Sequence, residues 1–280
     1  MRRMFRSMSR RRASAGKIIK ISVVGAGFSR PCDYQGIINM MLLDEKNLRC
    51  DKINEDLVIY QIKNGLLFGT DALKLADFIC SEHMGIYKNA LEFGTGSGVI
   101  SLLLSRRGKI NNIYAVEIQE IYAELAKFNA EYNNLSNRIK IIHGDLKDCD
   151  NLYYDENRIL PHSVDMIFTN PPYIKYDEKV AGGAGMLSGL DYKNISRKEI
   201  SCTIYDILKS AARLLKNGGD FYIVYRPDRF QSLFSAMIRN NITPKKIAFV
   251  YANQSNKASL VLIKGRQGAG EGLIAENIFI

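Results

Sequence analysis

With 280 residues and 46% hydrophobic content, the chain is long enough to bury a sizeable core as one large or two small domains. It contains no run of 18 or more apolar residues and no apolar opening that ends in a small-residue cleavage site, so a cytoplasmic protein without a helical membrane anchor is expected. Five scattered cysteines, Cys32, Cys50, Cys80, Cys149 and Cys202, have no paired spacing, which argues against a zinc site or a disulfide framework and for reduced thiols.

The formal charge of +10 is unevenly distributed. Residues 1–40 hold nine Lys or Arg and one Asp, residues 41–180 hold 16 basic and 21 acidic residues, and residues 181–280 hold 14 and 7. A mildly acidic middle and a basic C-terminal part suit an enzyme that presents a phosphate-binding surface on one side, although an ordinary solvated surface accounts for the same counts.

In chain order, residues 1–40 come first. Arg2, Arg3, Arg6, Arg10, Arg11 and Arg12 have no acidic partner nearby, so an extension without a self-satisfied helix is expected. An RNA-contacting arm, an Arg-rich targeting peptide and an extension without a selected function compete here. Met40 and Met41, just before the globular pattern begins, favour the last. Within it, Ile21–Arg30 imitates a dinucleotide-binding turn, but Arg30 replaces the third glycine and Pro31 discourages the helix that would hold a pyrophosphate.

From Ala90 strands and helices alternate. Strands are predicted at Ala90–Phe93, Ile113–Val116, Ile139–His143, Val164–Thr169 and Phe221–Tyr225, and helices at Val99–Arg107, Gln119–Asn133, Lys198–Leu215 and Phe230–Asn240. Gly218-Gly219 reads as the stop of the third helix. Two final strands, Ile247–Tyr251 and Leu260–Lys264, are joined by too few residues for a helical crossover and should pair antiparallel. The expected class is α/β: a Rossmann-like fold with a mostly parallel seven-stranded sheet and an antiparallel last strand, occupying residues 41–280.

The first chemical pattern is Glu92-Phe93-Gly94-Thr95-Gly96-Ser97-Gly98. Alternating glycines permit a sharp strand-to-helix turn and close approach of a ligand. Their spacing differs from that of pyrophosphate binders, and an acid at Glu92 repels phosphate but suits the cationic methionine end of S-adenosylmethionine. Glu117, closing the next strand, can accept from two ribose hydroxyls, and Asp145, after the third, can accept from an adenine amine. An N-cap or a solvated loop residue is the plainer reading of each acid taken singly.

The second pattern is Asn170-Pro171-Pro172-Tyr173, directly after the Val164–Thr169 strand. Two prolines stiffen the backbone, so the Asn170 side-chain oxygen and the Pro171 carbonyl can converge on one point. Two acceptors there would bind both N–H groups of an aryl amine, aim its lone pair at a methyl donor and stabilise the charge that develops. Tyr173 would stack on an extruded base. In isolation the same residues form a proline turn that ends a strand. The glycine-rich stretch from Tyr173 to Arg197 reads as a binding loop in which Lys175, Lys179 and Lys193 could meet phosphates.

From about Leu43 onward the chain resembles the bacterial tRNA(Val) adenine-37 N6-methyltransferase family, a class I methyltransferase family carrying the NPPY motif. The resemblance rests on Asn64–Ile79, the glycine turn, Val116–Glu120, His143–Asp148, Asn170–Tyr173 and Tyr225–Arg229. It implies S-adenosylmethionine as cofactor and tRNA, at the anticodon stem-loop, as partner. It further implies Phe68, Thr70 and Asp71 closing over the methionine end, with Gly94, Thr95, Gly96, Gly98, Glu117, Ile118, Asp145, Leu146 and Asn170 around the cofactor. Arg226 and Arg229 are candidate phosphate contacts; no metal is implied. Rival readings are a glutamine methyltransferase of the release-factor type, a DNA or rRNA adenine methyltransferase, and a non-catalytic RNA-binding protein.

Overall fold

The computed structural model describes residues 47–171, 202–252 and 256–279. The 1–40 extension with its Ile21–Arg30 turn, Pro172, Tyr173, Lys175 and the stretch to Arg197 lie outside the described residues.

The described chain begins with a hairpin, β1 (Leu48–Asn54) and β2 (Leu57–Ile62), and helix α1 (Thr70–Glu82) follows. Next come β3 (Tyr87–Phe93), α2 (Val99–Arg106), β4 (Ile110–Glu117), α3 (Glu120–Tyr132) and β5 (Ile139–His143). A small hairpin of β6 (Tyr153–Tyr154) and β7 (Asn157–Arg158) precedes β8 (Val164–Thr169). The C-terminal part comprises α4 (Ile204–Leu214), β9 (Leu215–Tyr225), α5 (Phe230–Arg239), β10 (Ile242–Tyr251), β11 (Ala258–Gln267) and β12 (Ile274–Phe279).

One eight-stranded sheet runs β12-β10-β11-β9-β8-β3-β4-β5. β5, β4, β3, β8 and β9 are mutually parallel, and β11 lies antiparallel to both β9 and β10. All seven expected strands are therefore present with the expected antiparallel pairing, and β12 adds an eighth, parallel to β10. The pleat sends alternate residues to opposite faces. Met166 and Phe168 of β8 join the core beneath β2, α1 and α2, while Ile167 joins the core beneath α4 and α5.

Several expected boundaries move: β3, β4 and β10 begin earlier, at Tyr87, Ile110 and Ile242, β11 extends from Ala258 to Gln267, and a further shift follows α4. The expected start of that helix at Lys198 lies outside the described residues; α4 as described starts at Ile204, where the Thr203 hydroxyl accepts from the Asp206 N–H at 3.2 Å while Asp206 accepts from the Thr203 N–H at 2.8 Å, a reciprocal cap. The strand after it begins at Leu215, not Phe221. Leu215 pairs with Val164 and Asp220 with Met166, so Lys216 to Gly219 form a bulge inside β9 instead of a stop before it.

The hairpin is anchored to α3 by side-chain amides. Asn133 accepts from Val58 N–H (3.0 Å) and donates to Val58 O (2.7 Å); Asn129 accepts from Tyr60 N–H (2.8 Å) and donates to Tyr60 O (2.9 Å) and Ser97 O (2.9 Å). Being four residues apart, the two amides share one helix face and satisfy a strand edge that would otherwise be buried unpaired.

Candidate active site

The C-terminal ends of four adjacent parallel strands, β8, β3, β4 and β5, carry Asn170, the glycine turn, Glu117 and Asp145. This is where ligands settle in open α/β sheets. The glycine turn follows β3: the N–H groups of Gly94 and Thr95 both bond to Val116 O, at 2.9 and 3.1 Å. Gly94 and Gly96 have φ of +68° and +56°, a region that penalises any side chain, and a Cβ at either would meet no atom within 4 Å. Backbone strain, not crowding, requires glycine there, and the space above the turn is open. Gly98 is the N-cap of α2.

Two buried carboxylates hold this turn from below. Glu92 Oε2 accepts from Thr95 Oγ1 at 2.7 Å and from Ser101 Oγ. Glu117 accepts from Gly96 N–H (2.8 Å) and Gln119 N–H (3.0 Å). Burial pushes the Glu92 carboxyl up to about 7, against the pull of the two hydroxyls, and burial also raises Glu117. Among the described residues neither forms a salt bridge with Lys or Arg. Two carboxylates beneath an open cradle, with no basic partner, suit a cationic ligand, whose charge would favour their ionised forms.

Asp145 begins a 3-10 turn as its N-cap, accepting from Lys147 N–H at 2.9 Å, with Leu146 half-buried behind it. The plainer reading of Asp145 is thus present; its side chain is 36% exposed, and its neighbour Gly144 bonds to Glu117 O at 2.9 Å, so the acid stands beside the β4 end. Ile118 is half-buried, its carbonyl 3.1 Å from His143 Nε2.

Asn170 leaves β8 one strand from the glycine turn. Thr169 is in register with Phe93, and Thr169 Oγ1 donates to Phe93 O at 2.9 Å, which ties the two loops together at their roots. Asn170 Nδ2 donates to Asp71 Oδ2 at 3.0 Å, and Pro171 is buried. Phe68 is half-buried against the core, while Thr70 is exposed at the start of α1. The structure thus brings Asp71 to Asn170, Gly96 to Glu117 and Thr95 to Glu92. Arg226 and Arg229 stand after β9, next to β8; Arg226 is held in a two-point pair by Asp228 at 2.9 and 3.0 Å.

Sequence reasoning missed Ser101 as the partner of Glu92 and Asp228 as the partner of Arg226. It also missed the struts that carry Phe68–Asp71: Gln61 Oε1 accepts from Phe68 N–H (2.8 Å) and the Tyr122 hydroxyl from Leu66 N–H (2.7 Å). The available signal was Tyr122, Asn129 and Asn133 standing on the apolar face of α3, where polar groups need partners.

A family model described as "Methyltransferase domain" matches residues 87–265, from the start of β3 into β11. The chain belongs to the methyltransferase domain family. The match spans all seven expected strands, so the fold class and a methyltransferase domain stand as expected. Among curated relatives, a tRNA1(Val) (adenine(37)-N6)-methyltransferase of Porphyromonas gingivalis is 29% identical, over 59% of this chain and 60% of the relative. Its namesakes in Christiangramia forsetii and Bacteroides thetaiotaomicron are 25% and 30% identical, over 72% and 62% of this chain and 79% and 65% of theirs. The chain thus spans about 60% of the first relative's length. A solved predicted O-methyltransferase from Agrobacterium tumefaciens superposes with a TM-score of 0.53 at 17% identity, over 75% of this chain and 86% of that one. TYW2 of M. jannaschii, solved with AdoMet, superposes at 0.52 and 10% identity, over 79% and 85%. Both support the fold. No helix among the described residues is long and apolar enough to cross a membrane, and none of their His, Cys, Asp and Glu side chains cluster as a metal site.

Proposed function

We propose that this chain is an S-adenosylmethionine-dependent methyltransferase that methylates the N6 amine of an adenine in tRNA, at position 37 beside the anticodon. One observation carries the reading: the Phe93–Thr169 register and hydrogen bond root the glycine turn and the Asn170-Pro171 loop side by side, so a methyl donor on one faces an amine held by the other.

The residues fit the cofactor. Gly94 and Gly96 leave the cradle open, and Glu92 and Glu117 supply negative charge without a basic partner. Glu117 and Asp145 would hold the ribose and the adenine, with Gly98, Ile118 and Leu146 lining that side, and Phe68, Thr70 and Asp71 would border the methionine end. When bound, S-adenosylmethionine supplies an electrophilic methyl on a sulfonium. The chain's own part is acceptance: Asn170 Oδ1 and the Pro171 carbonyl take the two amine hydrogens, orient the nitrogen lone pair and stabilise the positive charge that grows there. No strong base is needed before methylation, since the nitrogen sheds its proton after the bond forms. Pro172 would stiffen the loop, Tyr173 would stack on the base, and Lys175, Arg226 and Arg229 would meet phosphates. The relatives' names support tRNA over a protein amide, which the NPPY sequence alone does not decide, and residues 1–40 are read as an appendage to a cytoplasmic enzyme.

Incubation of the full chain with labelled S-adenosylmethionine and, separately, tRNA, duplex DNA and a release factor tests the proposal. Label in tRNA, mapped to N6-methyladenosine at position 37 by mass spectrometry, is expected. Label confined to protein or DNA overturns the substrate; no label and no cofactor binding overturns the enzyme.

A further inference from the structure

We propose that Asp71 is a positioning residue that fixes which end of the Asn170 amide faces the substrate amine; this rests on the functional reading above. A primary amide has two chemically opposite ends, and rotation about its terminal torsion is broad and roughly two-fold. Acceptor catalysis at Asn170 works only with the oxygen end forward. A carboxylate accepts and never donates, so only the Nδ2 end of Asn170 can stand 3.0 Å from Asp71 Oδ2. That contact assigns Oδ1 to the opposite side.

Asp71 is itself held for the purpose. Its other oxygen, Oδ1, accepts from the Ala72 N–H at 2.9 Å, which sets the carboxylate in the first turn of α1. The segment leading into that turn is fastened by Gln61 at Phe68 N–H and by Tyr122 at Leu66 N–H. Among the described residues no Lys or Arg forms a salt bridge with Asp71, so no cation competes for the oxygen that meets Asn170. A charged acceptor behind the amide also polarises it, leaving Oδ1 a stronger acceptor for an amine that is gaining positive charge.

The test is a polarity swap read on whichever amine substrate the wild type methylates. Asp71→Ala should lower kcat about tenfold or more, measured at saturating S-adenosylmethionine so that any loss of cofactor affinity is read separately. Asn170→Asp alone sets two carboxylates against each other; its activity should be poor at pH 8 and should rise as the pH falls and one oxygen takes a proton. Adding Asp71→Asn restores a donor facing an acceptor, and the double variant should exceed Asn170→Asp at pH 8 by about tenfold or more. Thermal melting and cofactor binding of each variant establish folding independently of activity. A double variant no better than Asn170→Asp overturns the proposal, as does a Asp71→Ala variant whose whole loss lies in cofactor affinity. If the wild type methylates a protein amide instead of tRNA, the functional reading fails, while the swap still decides the role of Asp71.

Discussion

Replacing Glu92 with glutamine removes an ionisation while keeping an oxygen for the Thr95 and Ser101 hydroxyls. Burial moves the Glu92 carboxyl from 4.5 to about 7 on folding. Between those values the folded chain holds one proton more than the unfolded chain, so stability falls as pH rises through that window and is flat above it. A displacement of this size is worth about 3 kcal/mol. The wild type therefore carries a burden of about 3 kcal/mol at pH 8 that is absent at pH 4.5, and the glutamine variant carries none at either. Urea unfolding of the ligand-free protein at pH 5 and pH 8 measures this. Relative to wild type, the variant should gain about 2 kcal/mol or more between the two conditions. An equal difference at both pH values would refute the argument that burial raises the Glu92 carboxyl. The same variant should bind S-adenosylmethionine more weakly at pH 8, because the burdensome anion is what a sulfonium or an ammonium group would neutralise. Stability gained where function is lost is the usual signature of a site residue.

Glu117→Ala should weaken cofactor binding about tenfold or more, measured by calorimetry, since it removes a charged acceptor and also releases the Gly96 and Gln119 N–H groups; unchanged affinity would detach Glu117 from the site. Alanine at Arg226 and Arg229 should flatten the salt dependence of tRNA affinity. An unchanged slope in both would remove them from the interface. Asp220 lies in the interior strand β9, toward the ends of the strands remote from the site, buried, accepting from the Tyr87 hydroxyl (2.7 Å) and pairing with Arg266 (2.8 Å) and Lys264 (3.7 Å). Asp220→Ala should lower unfolding free energy by about 3 kcal/mol with cofactor affinity unchanged; a loss below about 1 kcal/mol would show that this network adds little.

How much of this was legible beforehand follows from what each segment does with its side chains. Val164–Thr169 matches its expected limits because it is a short, mostly apolar run buried on both faces, and Ile139–His143 matches because Ile139, Ile141 and Ile142 carry the signal although Lys140 is half-buried and His143 exposed at the sheet edge. The Leu48–Asn54 strand gave no such signal: its sequence, LRCDKIN, is charged and largely exposed, and its pairing is set by the β2 partner. Gly218-Gly219 misled because two glycines after an amphipathic run usually end a helix, whereas here Leu214 already ends it and the glycines sit in the β9 bulge. β12 was missed because Ile274–Phe279 lies at the sheet edge, where little burial enforces an apolar pattern. At the site, the acids and glycines were legible because function needs particular residue types at strand ends. Their partnerships were not: Ser101 carried no signal, and Asp71, expected at the methionine end through the resemblance, gave no sign of its contact with Asn170 across the fold.

Those contacts explain why a hairpin outside the main sheet belongs to the catalytic architecture. Asn129 joins Tyr60 of β2 to Ser97 of the glycine turn, and Gln61, the next residue of β2, carries the Phe68 N–H at the entrance to α1. Asp71 then reaches across to Asn170. One strand thereby fixes both walls of the cleft, through an amide on one side and a carboxylate on the other. The separation of the donor cradle and the acceptor amide is set where both leave the main sheet, by the Phe93–Thr169 register and hydrogen bond. Methyl transfer in line depends on that separation far more than on the absolute position of either wall. Side-chain hydrogen bonds suit this task better than apolar packing, because their distance and direction are both restricted.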